Sequence, residues 1–232
     1  MAKTRGVSFE KMEQAIMAAA GELFDEKGFN QTSLQDIADA LGMSRPSLYH
    51  YFDNREQILA TGIEPITQQR DALTQELRDA GGDPIERLTK LMLGLGTLVA
   101  EHPVWVRVLL RDAAALPDDS RERDRRSRLA YLDLLITALR DGMDAGVVRP
   151  LDEQVTALII IASLFSLQGQ YAAATTDTRP DEITQLTVDI ILHGLLTDDP
   201  RQGTPIERGL DLIREGMELV KRGNRDVARR AG

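Results

Sequence analysis

Apolar residues recur at three- and four-residue spacings along most of the chain, and this spacing matches the period of an amphipathic α-helix. Clusters of Gly, Pro and Asp interrupt the pattern, as is typical of helix ends and loops. Long runs of strict apolar–polar alternation, which would favour strands, are scarce. With 42% hydrophobic residues among 232, the chain can bury a large core. The sequence therefore predicts an all-α fold of about ten helices.

Capping residues, prolines in first turns and glycines after last turns mark the helix ends. Pro65 lies inside the fourth predicted helix, where a proline is expected to cause a kink. We place a domain boundary at the start of that helix, which gives an N-terminal domain, residues 1–55, and a larger helical domain, residues 56–232. The predicted helices cover residues 8–27, 33–41, 44–52, 54–80, 84–102, 103–116, 121–145, 152–175, 180–197 and 205–221.

The segment GMSRPSLYHYF, residues 42–52, has the features of a short, well-capped helix. Ser44 is a suitable N-cap, and Pro46 falls in the first turn, where its missing N–H is harmless. Leu48 and Phe52 are four residues apart and are expected to form the buried side. The other side chains can hydrogen bond or stack, and we expect them to face outward. With the preceding helix and the glycine-containing turn, this segment predicts a helix-turn-helix.

The distribution of charge bears on what this helix-turn-helix contacts. The formal net charge of −9 argues against a general nucleic-acid binder. Residues 1–60 carry six Lys or Arg and nine Asp or Glu, yet residues 42–52 contain Arg45 and no acidic residue. A DNA-binding protein of this kind is expected to make few phosphate contacts per subunit and to act through two subunits.

Three segments within residues 10–59 closely resemble the DNA-binding domain of the TetR family of transcriptional regulators: AAAGELFDEKGF, TSLQDIADALGMS and LYHYFDNREQIL. The resemblance implies a three-helix N-terminal helix-turn-helix domain followed by a larger helical domain for ligand binding and dimerisation. It also implies a homodimeric repressor that binds a palindromic operator in double-stranded DNA. Binding of a small-molecule effector would release that operator.

The resemblance also assigns the residues that contact DNA. The positions that contact bases fall on Gln35, Arg45, Pro46, Ser47 and His50. An arginine such as Arg45 can donate two hydrogen bonds to O6 and N7 of a guanine.

Contacts with phosphates are implied for a second set of residues. These positions fall on Thr32, Ser33, Tyr49, Tyr51 and Arg55. The family more often has lysine at the last of them, and the neighbouring Asp53 is a departure that is expected to weaken phosphate binding. Packing in the core of the small domain is the alternative for the two tyrosines.

The C-terminal domain carries fewer signals. TetR-like proteins enclose a pocket among their middle helices, and the apolar helices here favour a small, largely apolar effector, whose acidic group an arginine could meet. Ordinary core packing is the alternative for most of the candidates. The candidate pocket residues are Met92, Trp105, Arg107, Arg111, Phe165, Gln168 and Tyr171. The fourth helix is expected to transmit the signal, because it is the only long helix predicted to touch both domains.

Two late helices, residues 152–175 and 181–197, are rich in apolar residues and predict the dimer interface. Two helices from each subunit can form a four-helix contact. The residues expected to be buried within or between subunits include Leu158, Ile161, Leu164, Ile190 and Leu195. The charged run at residues 120–129 is interpreted instead as a solvated helix start, because acidic residues alternate with its arginines.

Other classes of protein find less support. We find no Gly-rich phosphate loop, HExxH or GxSxG motif, so the sequence does not predict an enzyme. With three histidines and no cysteine, neither a structural metal site nor a cofactor is predicted. The absence of a signal peptide or a sufficiently long apolar stretch predicts a cytoplasmic protein without a membrane partner. The alternative function is a ligand-independent, DNA-organising protein, which ligand-dependent release of DNA would distinguish from a regulator.

Overall fold

The structure is a computed structural model, and it describes residues 2–79, 82–166 and 178–196. All regular elements in these ranges are helical, apart from one isolated antiparallel bridge between Val148 and Leu196. The predicted all-α fold is therefore confirmed. The α-helices are α1 (Ala2–Lys27), α2 (Leu34–Ala40), α3 (Arg45–Leu48), α4 (Arg55–Asp79), α5 (Pro84–Glu101), α6 (Pro103–Asp112), α7 (Asp118–Asp144), α8 (Glu153–Ser166) and α9 (Pro180–Leu195).

The capping signals place most helix ends within a few residues of their predicted positions. At the start of α5, the Asp83 carboxylate accepts hydrogen bonds from the backbone N–H groups of Ile85 and Glu86, at 2.7 and 3.2 Å. Gly28 follows α1 with φ of 88°, a conformation that favours glycine. α4 continues through Pro65 as one helix. The predicted helix at residues 205–221 and the end of the one at 152–175 lie outside the described residues.

Buried apolar side chains form two clusters. The first core joins α1, α2, α3, the first half of α4, the end of α5 and α6, and its large members include Phe24 and Leu48. The second core joins the end of α4 with α5, α7, α8 and α9, and it includes Met92 and Tyr131. Phe165 of α8 packs against both clusters. The first core therefore packs the N-terminal helices against α4, the end of α5 and α6.

The first core crosses the domain boundary that the sequence suggests at residue 55. Ile58 and Leu59 of α4 are completely buried in it, and so is Val106 of α6. α6 therefore packs on α1 although it lies beyond α5 in the sequence. The expectation that α4 alone connects the two parts of the chain is wrong, because α6 is a second connection.

A buried ion pair joins α4 to α7. The Arg70 guanidinium donates to the Asp124 carboxylate at 2.6 Å and to the Ser127 hydroxyl at 3.0 Å, and the two charged side chains are 3% and 1% exposed. Burial lowers the pKa of Arg70, although the Asp124 charge opposes the shift. The interpretation of residues 120–129 as a solvated helix start is therefore wrong for Asp124 and Ser127, which face α4.

No single helix in the described ranges is long and apolar enough to cross a membrane. α5 and the segment Pro103–Ala115 meet the length and composition criteria only when taken together, and they are bent by 96° where they meet.

Candidate nucleic-acid interface

The first helix of the helix-turn-helix, α2, begins with a reciprocal cap. The Ser33 hydroxyl accepts a hydrogen bond from the Asp36 N–H at 3.1 Å, and the Asp36 carboxylate accepts one from the Ser33 N–H at 2.7 Å. The Ser33 hydroxyl also donates to that carboxylate. These bonds lower the pKa of Asp36, because they favour its charged form. The cap fixes the start of α2 by satisfying backbone donors that would otherwise lack partners.

The second helix of the helix-turn-helix, α3, is short, and buried side chains hold it against the first core. The Ser44 side chain accepts from the Ser47 N–H at 3.3 Å, and its hydroxyl lies 2.7 Å from that of Ser47. Leu48 and Phe52 are buried at 0% and 3% exposure, as the sequence predicts. Regular helix ends at Leu48, and turns continue through Tyr51. Because Leu48 and Phe52 point inward, the remaining side chains of α3 and of these turns lie at or near the surface.

Arg45 and Tyr49 form a pair on this surface. The Arg45 guanidinium donates to the Tyr49 hydroxyl at 3.0 Å, and its central carbon lies 5.6 Å from the centre of the tyrosine ring. Both side chains are exposed, and neither belongs to the buried clusters. Core packing, the alternative considered for Tyr49, therefore does not describe it. The pair holds a cation and an aromatic hydroxyl together on the outward side of the helix-turn-helix.

The other predicted base-contact residues have mixed surroundings. Pro46 and His50 are exposed beside Arg45, and Ser47 is half-buried with its hydroxyl engaged by the cap. Gln35 is exposed on α2, where its amide donates to the Asp39 carboxylate at 2.7 Å. The structure thus places Arg45, Pro46 and His50 within one short outward-facing segment, and Gln35 on the neighbouring helix.

Two of the predicted phosphate-contact side chains form hydrogen bonds within the protein. Thr32 is completely buried, and its hydroxyl contacts the carbonyl oxygens of Leu23 and Gly28 at 3.1 and 3.0 Å. The Arg55 guanidinium donates to the carbonyl oxygens of Phe29 and Thr32 at 3.0 and 2.6 Å. Both side chains fasten the turn between α1 and α2, with Thr32 buried and Arg55 28% exposed, and their contact with phosphate stays a prediction.

The remaining phosphate-contact candidates lie nearer the surface. Ser33 is exposed, although its hydroxyl is engaged by Asp36. Tyr51 is half-buried and packs against the first core, and its ring stacks on Phe9 of α1 with centroids 4.5 Å apart. Tyr49 and Ser33 are therefore the accessible members of the set, and Tyr51 presents only part of its side chain.

In the described part of the chain the candidate pocket residues divide between the two cores, and their contact with a ligand stays a prediction. Met92 is buried in the second core, Trp105 packs against the first core, and Phe165 touches both. Gln168 and Tyr171 lie outside the described residues.

The two arginines of that set hold α6 against the C-terminal end of α1. Arg107 forms a two-pronged pair with Asp25, at 2.9 Å from Nε and 2.6 Å from Nη2 to the same oxygen. Arg111 donates to the Phe24 carbonyl and, at 2.8 Å, to the Asp25 carbonyl. We call this set of contacts the α1–α6 clasp. Sequence reasoning missed it, because no local pattern shows which distant carboxylate an arginine meets.

α8 and α9 present apolar side chains outward. Ile190 is 71% exposed, Ile159 59% and Leu158 57%, whereas Leu164 and Leu195 are buried within the subunit. Further exposed members of this face are Val155 and Leu186. An apolar surface of this kind on a protein subunit is typical of an interaction site.

Comparisons with known proteins agree with this arrangement. Residues 16–61 match the family model of the bacterial regulatory proteins of the tetR family, and residues 81–195 match that of the tetracyclin repressor-like C-terminal domain. The transcriptional regulator EthR of Mycolicibacterium smegmatis is 37% identical over 189 residues, which cover 80% of this chain and 85% of that protein. The transcriptional repressor KstR2 of Mycobacterium tuberculosis is 26% identical over 140 residues, with coverages of 58% and 68%.

A solved structure supports the fold. The ketosteroid transcriptional regulator KstR2 of Mycobacterium tuberculosis matches with a TM-score of 0.73 over 81% of this chain and 96% of that chain, at 21% identity. The two family models, the 37% identical EthR and the outward-facing α3 segment all indicate the same family. The chain belongs to the TetR family, and it is therefore a DNA-binding transcriptional regulator and not an enzyme.

Proposed function

We propose that this regulator is a repressor that binds a palindromic operator as a homodimer and releases it when a small, largely apolar molecule binds its C-terminal domain. The observation that carries the proposal is the outward-facing segment from Arg45 to His50, which combines a cation, an imidazole and an aromatic hydroxyl on a firmly anchored support. One such segment reads few bases, so two copies related by symmetry are needed.

The exposed apolar face of α8 and α9 supplies the contact between subunits in this proposal. Two helices from each subunit would pack as a four-helix interface and bury side chains such as Leu158 and Ile190. The two α3 segments would then lie about 34 Å apart, so that they fit successive major grooves on one side of the DNA.

Arg45→Ala is expected to weaken binding to the operator by about 1–3 kcal/mol and to relax discrimination at one base pair of each half-site. The reason is that Arg45 is the one cation in residues 42–52 and has an exposed side chain. Fluorescence anisotropy with the operator and a set of single-base variants measures both effects. Arg126→Ala is the matched control, since Arg126 is an exposed arginine on α7. Wild-type affinity and base preference in Arg45→Ala would contradict the proposed reading surface.

The switch in this proposal uses both connections between the parts of the chain. A molecule bound among α4 to α8 would favour a state in which α4 and α6 shift together, and the α1–α6 clasp would pass the movement of α6 to α1. The effector must bind this state more tightly than the DNA-bound state, because otherwise it shifts no equilibrium.

A thermal-shift screen of small hydrophobic compounds, followed by operator titrations with each hit, tests the switch. A true effector is expected to lower operator affinity about 5- to 150-fold at saturation. Asp25→Asn removes the carboxylate charge of the α1–α6 clasp. It is expected to reduce the fold-change in operator affinity that the effector causes, while the compound still raises the melting temperature. Asp133→Asn on the exposed side of α7 is the control. Compounds that stabilise the protein yet never change operator affinity would favour the ligand-independent, DNA-organising alternative.

A further inference from the structure

An open groove of about 540 Å³ lies between α1 and α4, on the outside of the first core. Met17 of α1, Pro65 of α4 and Trp105 of α6 provide its apolar lining, and Glu10 and Glu13 of α1 provide its charged lining. The volume is within the range of small-molecule sites, and such sites occur preferentially where two parts of a protein meet.

Trp105 is held in this groove by close packing. Its ring crosses the α4 backbone at Gly62, where a Cβ atom would come within 2.3 Å of the ring. On the α1 side the ring lies 3.2 Å from the Cβ position of Gly21, and Phe24 meets it edge-on at 6.2 Å. The side chain is half-buried, so part of it lines the groove. The groove therefore contains a fixed aromatic surface.

Among the side chains that the structure describes, the charged residues lining the groove have one sign. Glu10 and Glu13 are one helical turn apart, and neither forms an ion pair with a described side chain. No lysine or arginine is among the described residues that line the groove. The His102 ring is engaged by the Gln69 side chain at 3.1 Å. Glu10 and Glu13 make one end of the groove attractive to a cation, and Met17 and the Trp105 ring make the other end apolar.

We propose that this groove binds a small organic cation with an apolar body, such as an alkylated ammonium compound. The Trp105 ring and the aliphatic lining would take the apolar body, while Glu10 and Glu13 would face the cationic head. The site lies on the α1–α4 seam, and Trp105 is the one predicted pocket residue that it includes.

Benzyltrimethylammonium is a suitable probe, and Trp105 reports on it directly because the chain has one tryptophan. Titration into the purified full chain is expected to give a saturable change in tryptophan fluorescence. Glu10→Gln combined with Glu13→Gln should weaken the probe about tenfold or more, since two attractions to the cation are lost. Glu26→Gln, an exposed glutamate elsewhere on α1, should leave the affinity unchanged.

Three results would overturn the inference: no saturable signal, equal binding by the double variant, or equal binding of benzyl alcohol, which keeps the ring and lacks the charge. Thermal melts of each variant verify that it is folded before titration. Because no DNA is present in the assay, its outcome is independent of whether the operator proposal holds.

Discussion

Asp124→Ala is expected to lower the free energy of unfolding by about 3–5 kcal/mol, because it leaves the Arg70 guanidinium buried without its carboxylate. Arg70 is 3% exposed, so water cannot replace the lost partner in the folded state. The Ser127 hydroxyl and the backbone carbonyl of residue 124 would remain as neutral acceptors, at 3.0 and 3.5 Å, and such bonds do not compensate a buried charge. Urea-induced unfolding at a fixed protomer concentration measures the change, since the stability of a dimer depends on concentration.

Two further variants separate the loss of a charge partner from a general sensitivity of α7. Asp133→Ala on the exposed side of the same helix should change stability by no more than about 0.5 kcal/mol. Arg70→Met combined with Asp124→Leu should recover most of the stability, because neither charge is then buried. If the double variant were as unstable as Asp124→Ala, the destabilisation would come from packing and not from the unpaired charge.

Leu158→Asp combined with Ile190→Asp is expected to produce monomers and to reduce operator affinity by about a thousandfold or more, towards non-specific binding. Both side chains are more than half exposed in the single subunit, so charge is tolerated there until a second subunit covers them. Light scattering at micromolar concentration measures the assembly, and anisotropy measures the DNA. The folded state itself should survive, since neither residue belongs to the second core.

Leu110→Asp is the matched control for the dimer prediction. Leu110 is 63% exposed on α6 and does not belong to the face of α8 and α9. The Leu110→Asp variant should remain a dimer and bind the operator as the wild type does. A doubly substituted variant that stayed dimeric would place the interface elsewhere on the molecule.

Local signals were sufficient to predict most helix boundaries. Ser33 and Asp83 cap helices through contacts made within three residues, and such contacts can be seen in a sequence. Leu48 and Phe52 were likewise predicted to be buried because they share one side of a helical turn. The length of α1 was less predictable, since α1 begins at Ala2 and not at residue 8 as the sequence predicts.

Contacts between distant helices were not predictable from a single sequence. Nothing local to Arg107 indicates Asp25, and nothing local to Arg70 indicates Asp124, because the register of two packed helices depends on the whole fold. The same reason explains Arg55. Its position in the motif implies a contact with phosphate, which stays a prediction, and the sequence did not indicate that one of its nitrogens donates to carbonyl oxygens of the turn between α1 and α2.

The first core limits how this molecule can be divided and recombined. Ile58 and Leu59 of α4 and Val106 of α6 form part of the buried surface against which α1, α2 and α3 pack. A chimera that joins residues 1–55 to the C-terminal part of a relative would replace that buried surface and leave mismatched packing. If α3 reads the operator as proposed, exchange of operator specificity between relatives requires either substitutions confined to the outward side of α3, or transfer of α1, α2 and α3 together with the first half of α4 and α6.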